Sequence, residues 1–172
     1  MAGHLRWGFL GSGFISGLVA SDFKIAGLNI HGFASETSNK SENLANQYGA
    51  EAFNSYEALV TDSEIDAIYV NTIHPKHLAH TKLAINAGKH VLVEKPMCLN
   101  SAEAQEMIEA SKKYKRRLMV VKQNRFNEPV QHVQSLLEKG KLGKVYDVQC
   151  NVWWNRNEKY YQQSRSEEHT SE

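Results

Sequence analysis

The sequence has few of the features that mark secreted, membrane or nucleic-acid-binding proteins. Its two cysteines, Cys98 and Cys150, follow no pairing pattern, which fits a reducing compartment and predicts a cytoplasmic protein. No apolar run approaches the length needed to span a membrane. Because the formal net charge of the 172 residues is only +1, electrostatics favour neither nucleic acid nor an anionic membrane as a partner.

Two stretches have some features of a secretory signal or a nucleic-acid site, but neither interpretation is favoured. Residues 7–20 are mostly apolar and follow His4 and Arg6, as in a secretory signal, but their glycines and strand-turn-helix pattern argue against one. The basic run at residues 112–117 lies at a helix end, just before an apolar strand, where cations suit the helix dipole. It therefore does not indicate a nucleic-acid site.

Apolar segments alternate with helical patterns over the first 122 residues, and an apolar content of 41% is enough for a core. Short apolar runs predict strands at residues 6–10, 27–34, 65–71, 90–93 and 118–121. Helices are predicted at residues 39–48, 55–60 and 76–87, and another after a capping pair of Asn100 and Glu103. This alternation predicts an α/β fold, a doubly wound parallel sheet of Rossmann type with helices on both faces.

A glycine-rich turn follows the first strand. Residues 11–16 read Gly-Ser-Gly-Phe-Ile-Ser, the dinucleotide-binding pattern G-x-G-x-x-G with a serine at the third glycine. The first glycine permits a tight turn, the second lets the backbone approach a pyrophosphate, and the third position needs only a small residue. Amides at the start of the next helix would face the phosphates, so Gly11, Gly13, Phe14 and Ile15 are predicted cofactor contacts. A glycine-rich turn without a ligand is the alternative.

The residue that ends the second strand normally selects the cofactor. An acid there binds the adenosine ribose, whereas a small residue with a nearby Arg accepts a 2′-phosphate. Ser35 leaves room for a phosphate, but Glu36 would repel one, and the nearest cation is Lys40. Ser35 and Glu36 are therefore predicted cofactor contacts, and the choice between NAD and NADP stays open, leaning to NAD.

Three histidines recur at a spacing of three residues after the strand at 65–71. His74, His77 and His80 could suggest a metal site, but no carboxylate or cysteine is spaced to complete one, so no metal is predicted. The segment follows the carboxyl end of a strand, which favours a nucleotide-facing loop. Thr72, His74 and His77 are its predicted cofactor contacts, with His77 packing at the cofactor's edge.

A charged pair, Glu94 and Lys95, follows the strand at residues 90–93. Pro96 comes next and cannot extend a central strand, because it has no amide hydrogen to donate. Ligands of open parallel sheets lie outside the carboxyl ends of the strands, so the pair points at the expected site. Any exposed strand end can carry a Glu-Lys pair, and the glycine turn earlier in the chain is what favours a functional interpretation.

The pattern changes after residue 122, where the dinucleotide-binding domain, residues 1–122, is predicted to end. A helix is predicted at residues 127–140 and an alternating, half-buried strand at residues 143–154. One helix and one strand cannot bury a core. Residues 123–164 are therefore predicted to be the truncated beginning of an α+β domain with an open, mainly antiparallel sheet. Residues 165–172 look like a translated sequencing-library adapter and are expected to be a non-native tail.

Five motifs occur together in the order and spacing of one family. They are Gly11-Ser12-Gly13, Thr72-x-His74-Pro75-Lys76-His77, Gly88-Lys89-His90-Val91, Glu94-Lys95-Pro96 and Asn124-Arg125-Phe126. On these residues the chain resembles the Gfo/Idh/MocA oxidoreductases, the relatives of glucose-fructose oxidoreductase and inositol dehydrogenase, from about residue 5 to residue 161. Its later part is most similar to the branch that oxidises nucleotide-linked N-acetylated amino-sugar uronates.

The resemblance implies hydride transfer between NAD or NADP and a hydroxyl or carbonyl carbon of a sugar or cyclitol. It gives the catalytic role to Lys95, whose cation would lower the pKa of the reacting hydroxyl or polarise the carbonyl. It also implies that Glu94 contacts the nicotinamide ribose, that Gln123 and Lys95 contact the cofactor, and that Lys95, Arg125 and Arg156 contact the substrate.

The same resemblance implies that part of the site lies outside these 172 residues. The family's acid-base histidine belongs to a glycine-rich helix of the C-terminal domain, which this sequence lacks. We therefore expect a fragment that is inactive alone and a full-length form that is a homo-oligomer, since the missing sheet usually forms the subunit interface. The alternative is a nucleotide-binding sensor or regulator that keeps the fold without catalysis.

Overall fold

The structure is a computed structural model that describes residues 5–36, 38–153 and 155. Contacts divide the chain into two units, one that ends at Val121 and one that begins at Lys122. We call them the first unit and the second unit. The prediction that the second of these is the start of a separate α+β domain remains a prediction.

The first unit is built on one sheet of six parallel strands in the order β3-β2-β1-β4-β5-β6. The strands are β1 Arg6–Leu10, β2 Asn29–Ala34, β3 Glu51–Phe53, β4 Ala67–Val70, β5 His90–Val93 and β6 Leu118–Val120. The helices are α1 Phe14–Ile25, α2 Ser38–Tyr48, α3 Tyr56–Thr61, α4 His77–Asn86 and α5 Ser101–Lys113. This is the doubly wound order of the Rossmann fold, with its switch point between β1 and β4, and the predicted fold is confirmed.

Two details of the sheet differ from the prediction. The strand expected at residues 27–34 begins at Asn29, because Gly27, at φ 69°, donates to Lys24 O (3.1 Å) and closes helix α1. Strand β3 was not predicted. It is an edge strand of three residues, which is too short for a periodicity to be visible in the sequence.

The core lies on both faces of the sheet because successive side chains of a strand point to opposite sides. Trp7 and Phe9 of β1 and Tyr69 of β4 belong to an aromatic cluster on one face. Leu10 and Val70, one residue further along the same strands, belong to an aliphatic cluster on the other. Parallel strands covered on both faces explain why their sequences read as continuous apolar runs.

The amino edge of the sheet, where the strands begin, is closed by charged groups that all have partners. Arg6 donates from its backbone and guanidinium to Asp66 (2.9–3.1 Å) and also pairs with Glu64. The ammonium of Lys89, just before β5, donates to the carbonyl oxygens of Asp62 and Ile65, each at 2.6 Å. Burial lowers the pKa of Lys89, which is only 9% exposed.

The second unit contains a short 3₁₀ helix, Gln123–Phe126, and helix α6, Glu128–Glu138. The strand expected at residues 143–154 is absent from the part of that segment that the structure describes, which ends at residue 153, so this prediction is wrong here. A strand requires a neighbour to accept and donate its hydrogen bonds, and within the described residues none pairs with this segment. Its side chains are accordingly exposed, Tyr146 at 94% and Trp153 at 90%.

Among the described residues no helix is both long enough and apolar enough to cross a membrane. Cys98 and Cys150 are both free thiols.

Candidate functional site

The turn after β1 requires glycine at its first position. Gly11 has φ 106°, a conformation that side chains rarely adopt, and its N–H donates to Ala34 O at 2.9 Å. A Cβ at this position would lie 2.4 Å from the carbonyl oxygen of Asn71. The turn therefore brings the ends of β1, β2 and β4 together more closely than any side chain would allow.

Ser16, at the third position of the glycine pattern, has a part in this turn beyond being small. It is fully buried, and its hydroxyl donates to Gly11 O at 2.8 Å while accepting from Asn71 Nδ2 at 2.8 Å. The serine thus ties the turn to the residue that follows β4. The sequence predicts a small residue here but gives no sign of the bond to Asn71, which lies 55 residues away.

Gly13 and the start of α1 leave space for a ligand. Gly13 is the N-cap of the helix, and no protein atom lies within 4 Å of where its Cβ would be. No side chain caps the helix, so the first amides, beginning at Phe14 and Ile15, have no side-chain acceptor. Open space at a glycine beside uncapped helical amides fits a pyrophosphate, which supplies both bulk and acceptors.

The end of β2 presents the hydroxyl of Ser35 and the carboxylate of Glu36. Ser12 Oγ donates to Ser35 Oγ at 2.7 Å, which joins the glycine turn to the strand end. Glu36 follows and is exposed. Burial raises the pKa of the Tyr56 hydroxyl, and a hydrogen bond with the backbone of Glu36 offsets part of that rise.

The histidine segment after β4 is largely engaged with the protein itself. His77 is fully buried, with Nδ1 2.8 Å from Pro96 O and Nε2 3.0 Å from Thr72 O. His80 Nδ1 lies 2.8 Å from Thr72 Oγ1, and burial lowers the pKa of His80. His77 braces two loops, and a contact of its ring nitrogens with a cofactor would require one of these interactions to break. His74 lies in a 3₁₀ turn with its ring 5.5 Å from that of His77.

In the part of the chain that the structure describes, no three histidine, cysteine or acidic side chains are grouped as metal ligands would be.

Glu94 and Lys95 follow β5 and differ sharply in their surroundings. Glu94 is 8% exposed, its Oε1 accepting from the Tyr69 hydroxyl at 2.7 Å and its Oε2 from the N–H of Lys95 at 3.0 Å. Burial and the Glu94 carboxylate together raise the pKa of Tyr69, so the phenol keeps its proton. Lys95 is exposed, and within the described residues its ammonium has no hydrogen bond or ion pair.

The remaining predicted contacts lie elsewhere in the chain. Gln123 and Arg125 are exposed residues of the 3₁₀ helix in the second unit, and Arg156 lies outside the described residues. The first unit therefore gathers the predicted residues of the glycine turn, the β2 end, the β4 end and the Glu-Lys pair at one edge, which we call the carboxyl edge. The contacts predicted for Gln123, Arg125 and Arg156 remain predictions.

A tight glycine turn, an open helix start and an acid after β2, placed at the switch point of a parallel sheet, define a dinucleotide-binding domain. Residues 5–122 match the model of the oxidoreductase family with an NAD-binding Rossmann fold, Gfo/Idh/MocA. The chain belongs to this family, as its motifs predict.

Similar proteins include dehydrogenases of two kinds. Trans-1,2-dihydrobenzene-1,2-diol dehydrogenase of Danio rerio is 36% identical over 155 residues, and that of Sus scrofa is 32% identical over 151. Each alignment covers 86% of this chain and 45% of the relative. The WlbA dehydrogenase of Bordetella pertussis, crystallised in complex with NADH and UDP-GlcNAcA, superposes with a TM-score of 0.88 at 29% identity over 94% of this chain and 50% of that one. The chain thus spans about half the length of these proteins.

The sequence did not predict the buried hydrogen-bond donor of Glu94, which is Tyr69. Tyr69 lies within the otherwise aliphatic strand Ala67–Val70 and holds Glu94 by its hydroxyl. A tyrosine inside such a strand is a usable signal, because a buried phenol almost always has a hydrogen-bond partner. The partner itself could not be identified from the sequence.

Proposed function

We propose that this chain binds NAD at the carboxyl edge of its sheet and belongs to a dehydrogenase acting on a hydroxyl or carbonyl carbon of a sugar or cyclitol. The observation that carries the proposal is the placement of an open glycine turn and an unpaired lysine at the same edge of one parallel sheet. Membership of the NAD-binding family and the NADH complex of the similar WlbA dehydrogenase support it.

The dinucleotide would lie across the switch point of the sheet. Gly11 would form the tight turn, Gly13 would admit the pyrophosphate, and the amides of Phe14 and Ile15 would donate to it. Ser35 and Glu36 would bind the adenosine ribose, and the negative charge of Glu36 would repel a 2′-phosphate, which favours NAD over NADP. When bound, the nicotinamide supplies or accepts the hydride.

The nicotinamide end would lie toward Glu94 and Lys95. An ionised carboxylate has about four acceptor positions, so Glu94 can accept from a ribose hydroxyl while keeping its two protein donors. The ammonium of Lys95 would polarise the carbonyl of the substrate or stabilise the alkoxide of its hydroxyl. Thr72 and His74 would line the cofactor, His77 would pack at its edge, and Gln123 is a further proposed contact.

The substrate class is proposed from two supports. A similar solved structure is a candidate myo-inositol dehydrogenase, and the WlbA complex contains UDP-GlcNAcA. We propose a nucleotide-linked or free sugar, contacted by Lys95, Arg125 and Arg156. A nucleotide-linked uronate would carry negative charges that two arginines suit.

We also propose that residues 123–164 begin a substrate-binding and oligomerisation domain and that the full-length form is a homo-oligomer. Exposed apolar side chains of the second unit, among them Val130, Val133 and Leu137 on α6, support this, because they have the character of a surface that another layer covers. The net charge of +1 supports the absence of nucleic acid and membrane among its partners.

The binding step is tested by titrating NADH into this chain and into Gly13→Asp. A Cβ at Gly13 meets no protein atom within 4 Å, and φ at Gly13 is −73°, so the fold should be unchanged while the carboxylate occupies the space of the pyrophosphate. We expect NADH affinity to fall by at least about tenfold, roughly the 1.4 kcal/mol of one like-charge contact. Gly17→Ala, in the same helix, is the control and should bind as the unaltered chain does.

Unchanged NADH affinity in Gly13→Asp would contradict the proposed site. Turnover is then assayed with NAD and a panel of sugars, cyclitols and UDP-sugars. Binding without turnover in a chain that also carries a complete second domain would leave the sensor or regulator as the better assignment.

A further inference from the structure

The bond between Tyr69 and Glu94 joins the interior of the aromatic cluster to the carboxyl edge of the sheet. Tyr69 is fully buried, with its ring centroid 5.0 Å from that of Phe9 and 6.3 Å from that of Phe23. Its hydroxyl is 2.7 Å from Oε1 of Glu94, the residue that directly follows the neighbouring strand β5. Glu94 N donates to Val70 O at 2.9 Å, so the backbone holds the acid beside the end of β4 while the side chain turns back toward the ring.

This arrangement separates two opposite charges that are neighbours in the chain. Both carboxylate oxygens of Glu94 accept from internal donors, the Tyr69 hydroxyl and the Lys95 backbone. The ammonium of Lys95 is exposed and, among the described residues, has no partner. An adjacent carboxylate and ammonium at a strand end would otherwise be free to pair.

We propose that Tyr69 is a positioning residue that holds the Glu94 carboxylate toward the aromatic cluster, so that the Lys95 ammonium stays free for the substrate. The inference rests on the proposed function for the role of Lys95. Its structural half, that the Tyr69 hydroxyl occupies one carboxylate oxygen of Glu94, rests on the observed hydrogen bond and does not depend on that function.

Without the phenol hydroxyl, the Glu94 carboxylate would be able to pair with Lys95. In Tyr69→Phe the ring and its aromatic neighbours stay, but Glu94 Oε1 loses its donor, and a buried acceptor without a partner is unfavourable. The carboxylate already lies near the surface, at 8% exposure, and the next residue offers an unpaired cation. Rotation of Glu94 toward Lys95 would therefore replace the lost bond with an ion pair.

The test measures how readily Lys95 is acetylated by a limiting amount of an N-hydroxysuccinimide ester. Labelling of Lys95 is quantified by peptide mass spectrometry relative to Lys40 and Lys76, which are exposed on the same chain. In Tyr69→Phe we expect this ratio to fall between about twofold and fivefold, the range of exposed ion pairs. Tyr69→Phe/Glu94→Gln should restore it, because the neutral amide does not hold the ammonium.

The control is Tyr48→Phe, which also removes a tyrosine hydroxyl bond, to Gly17 O at 3.2 Å, but frees no carboxylate. It should leave the ratio unchanged. An unchanged ratio in Tyr69→Phe, or a fall that persists in the double variant, would overturn the proposal.

Glu94→Gln alone keeps the inference testable should Tyr69→Phe fail to fold. Lys95 labelling should not rise in this variant, since Glu94 does not pair with Lys95 in the unaltered chain, and a rise would overturn the proposal. The labelling needs no cofactor, so it is separate from the NADH titration. If the chain fails to bind NADH but shows the expected labelling, the role of Tyr69 in positioning Glu94 stands and the proposed function is wrong.

Discussion

The two edges of the sheet use charged residues in opposite ways. At the amino edge Arg6, Asp66 and Lys89 all have partners, and Lys89 is buried against two carbonyl oxygens. At the carboxyl edge Lys95 is exposed and, within the described residues, unpaired, and Gly13 borders empty space. A paired charge holds strand ends together, whereas an unpaired one is available to a ligand. Two lysines on either side of β5 thus have different roles: Lys89, before the strand, stabilises the fold, and Lys95, after it, is available to a ligand.

The difference predicts that the same substitution will have different consequences at the two edges. Stability should respond to changes at Lys89 and activity to changes at Lys95. The chain offers a matched pair, because both lysines flank the same four-residue strand, His90–Val93.

Lys95→Met should have the largest effect, and mainly on turnover. An electrostatic group aimed at the reacting oxygen typically contributes about 10²–10³ in rate, so kcat in an active chain with both domains complete should fall by that factor. The melting temperature should stay within error, because the ammonium has no partner among the described residues, and NADH affinity should fall far less than kcat. Lys82→Met, which breaks an exposed pair with Glu106, is the control. Full turnover in Lys95→Met would remove the residue from the mechanism.

Lys89→Met should instead destabilise the fold. The variant removes the ammonium that donates to the carbonyl oxygens of Asp62 and Ile65. Because buried acceptors without a donor are unfavourable, the free energy of unfolding should fall by about 2 kcal/mol. Urea denaturation followed by circular dichroism measures this. NADH affinity of the folded chain should not change. Stability equal to that of the unaltered chain would mean that water replaces the ammonium at this edge.

The site could be predicted from the sequence where its residues are local. The glycine turn, the strand before it and the helix after it lie within 20 residues, and each is specified by its own pattern. The edge at which Glu94 and Lys95 meet the turn also follows, because parallel strands place all their carboxyl ends together. These predictions required only periodicity and one topological rule.

Contacts between distant segments could not be predicted in this way. Ser16 with Asn71 and Tyr69 with Glu94 are hydrogen bonds across 55 and 25 residues, and they depend on strand register and on which face each side chain occupies. The strand expected at residues 143–154 failed for a related reason. Its alternation is present in the sequence, but a strand forms only with a partner, and the described residues offer it none.

Glu36→Arg should sharpen the comparison within the carboxyl edge by changing its cofactor preference. A guanidinium after β2 can bind the 2′-phosphate that the carboxylate repels. We expect the ratio of NADPH to NADH affinity to rise by about tenfold, the equivalent of one charge-assisted contact at 1.4 kcal/mol. Fluorescence titration with both cofactors measures it, and Glu42→Arg on α2 is the control for net charge. Equal ratios in the two variants would show that Glu36 does not face the ribose.

The smallest expected effect is the pH dependence of the amino edge. The hydrogen bond from Arg6 lowers the pKa of Asp66 from 3.8 to about 2. A lowered carboxyl pKa contributes stability that is present above pH 3.8 and is lost as the pH falls through about 2. Because the Asp66 side chain is 36% exposed, solvent screening limits the contribution to less than about 1 kcal/mol. Asp66→Asn should therefore be slightly less stable than the unaltered chain at pH 7, and the difference should shrink through about pH 2 and vanish below it. A difference that persists at low pH would assign it to the hydrogen-bond geometry of the side chain, which the amide alters, instead of to its charge.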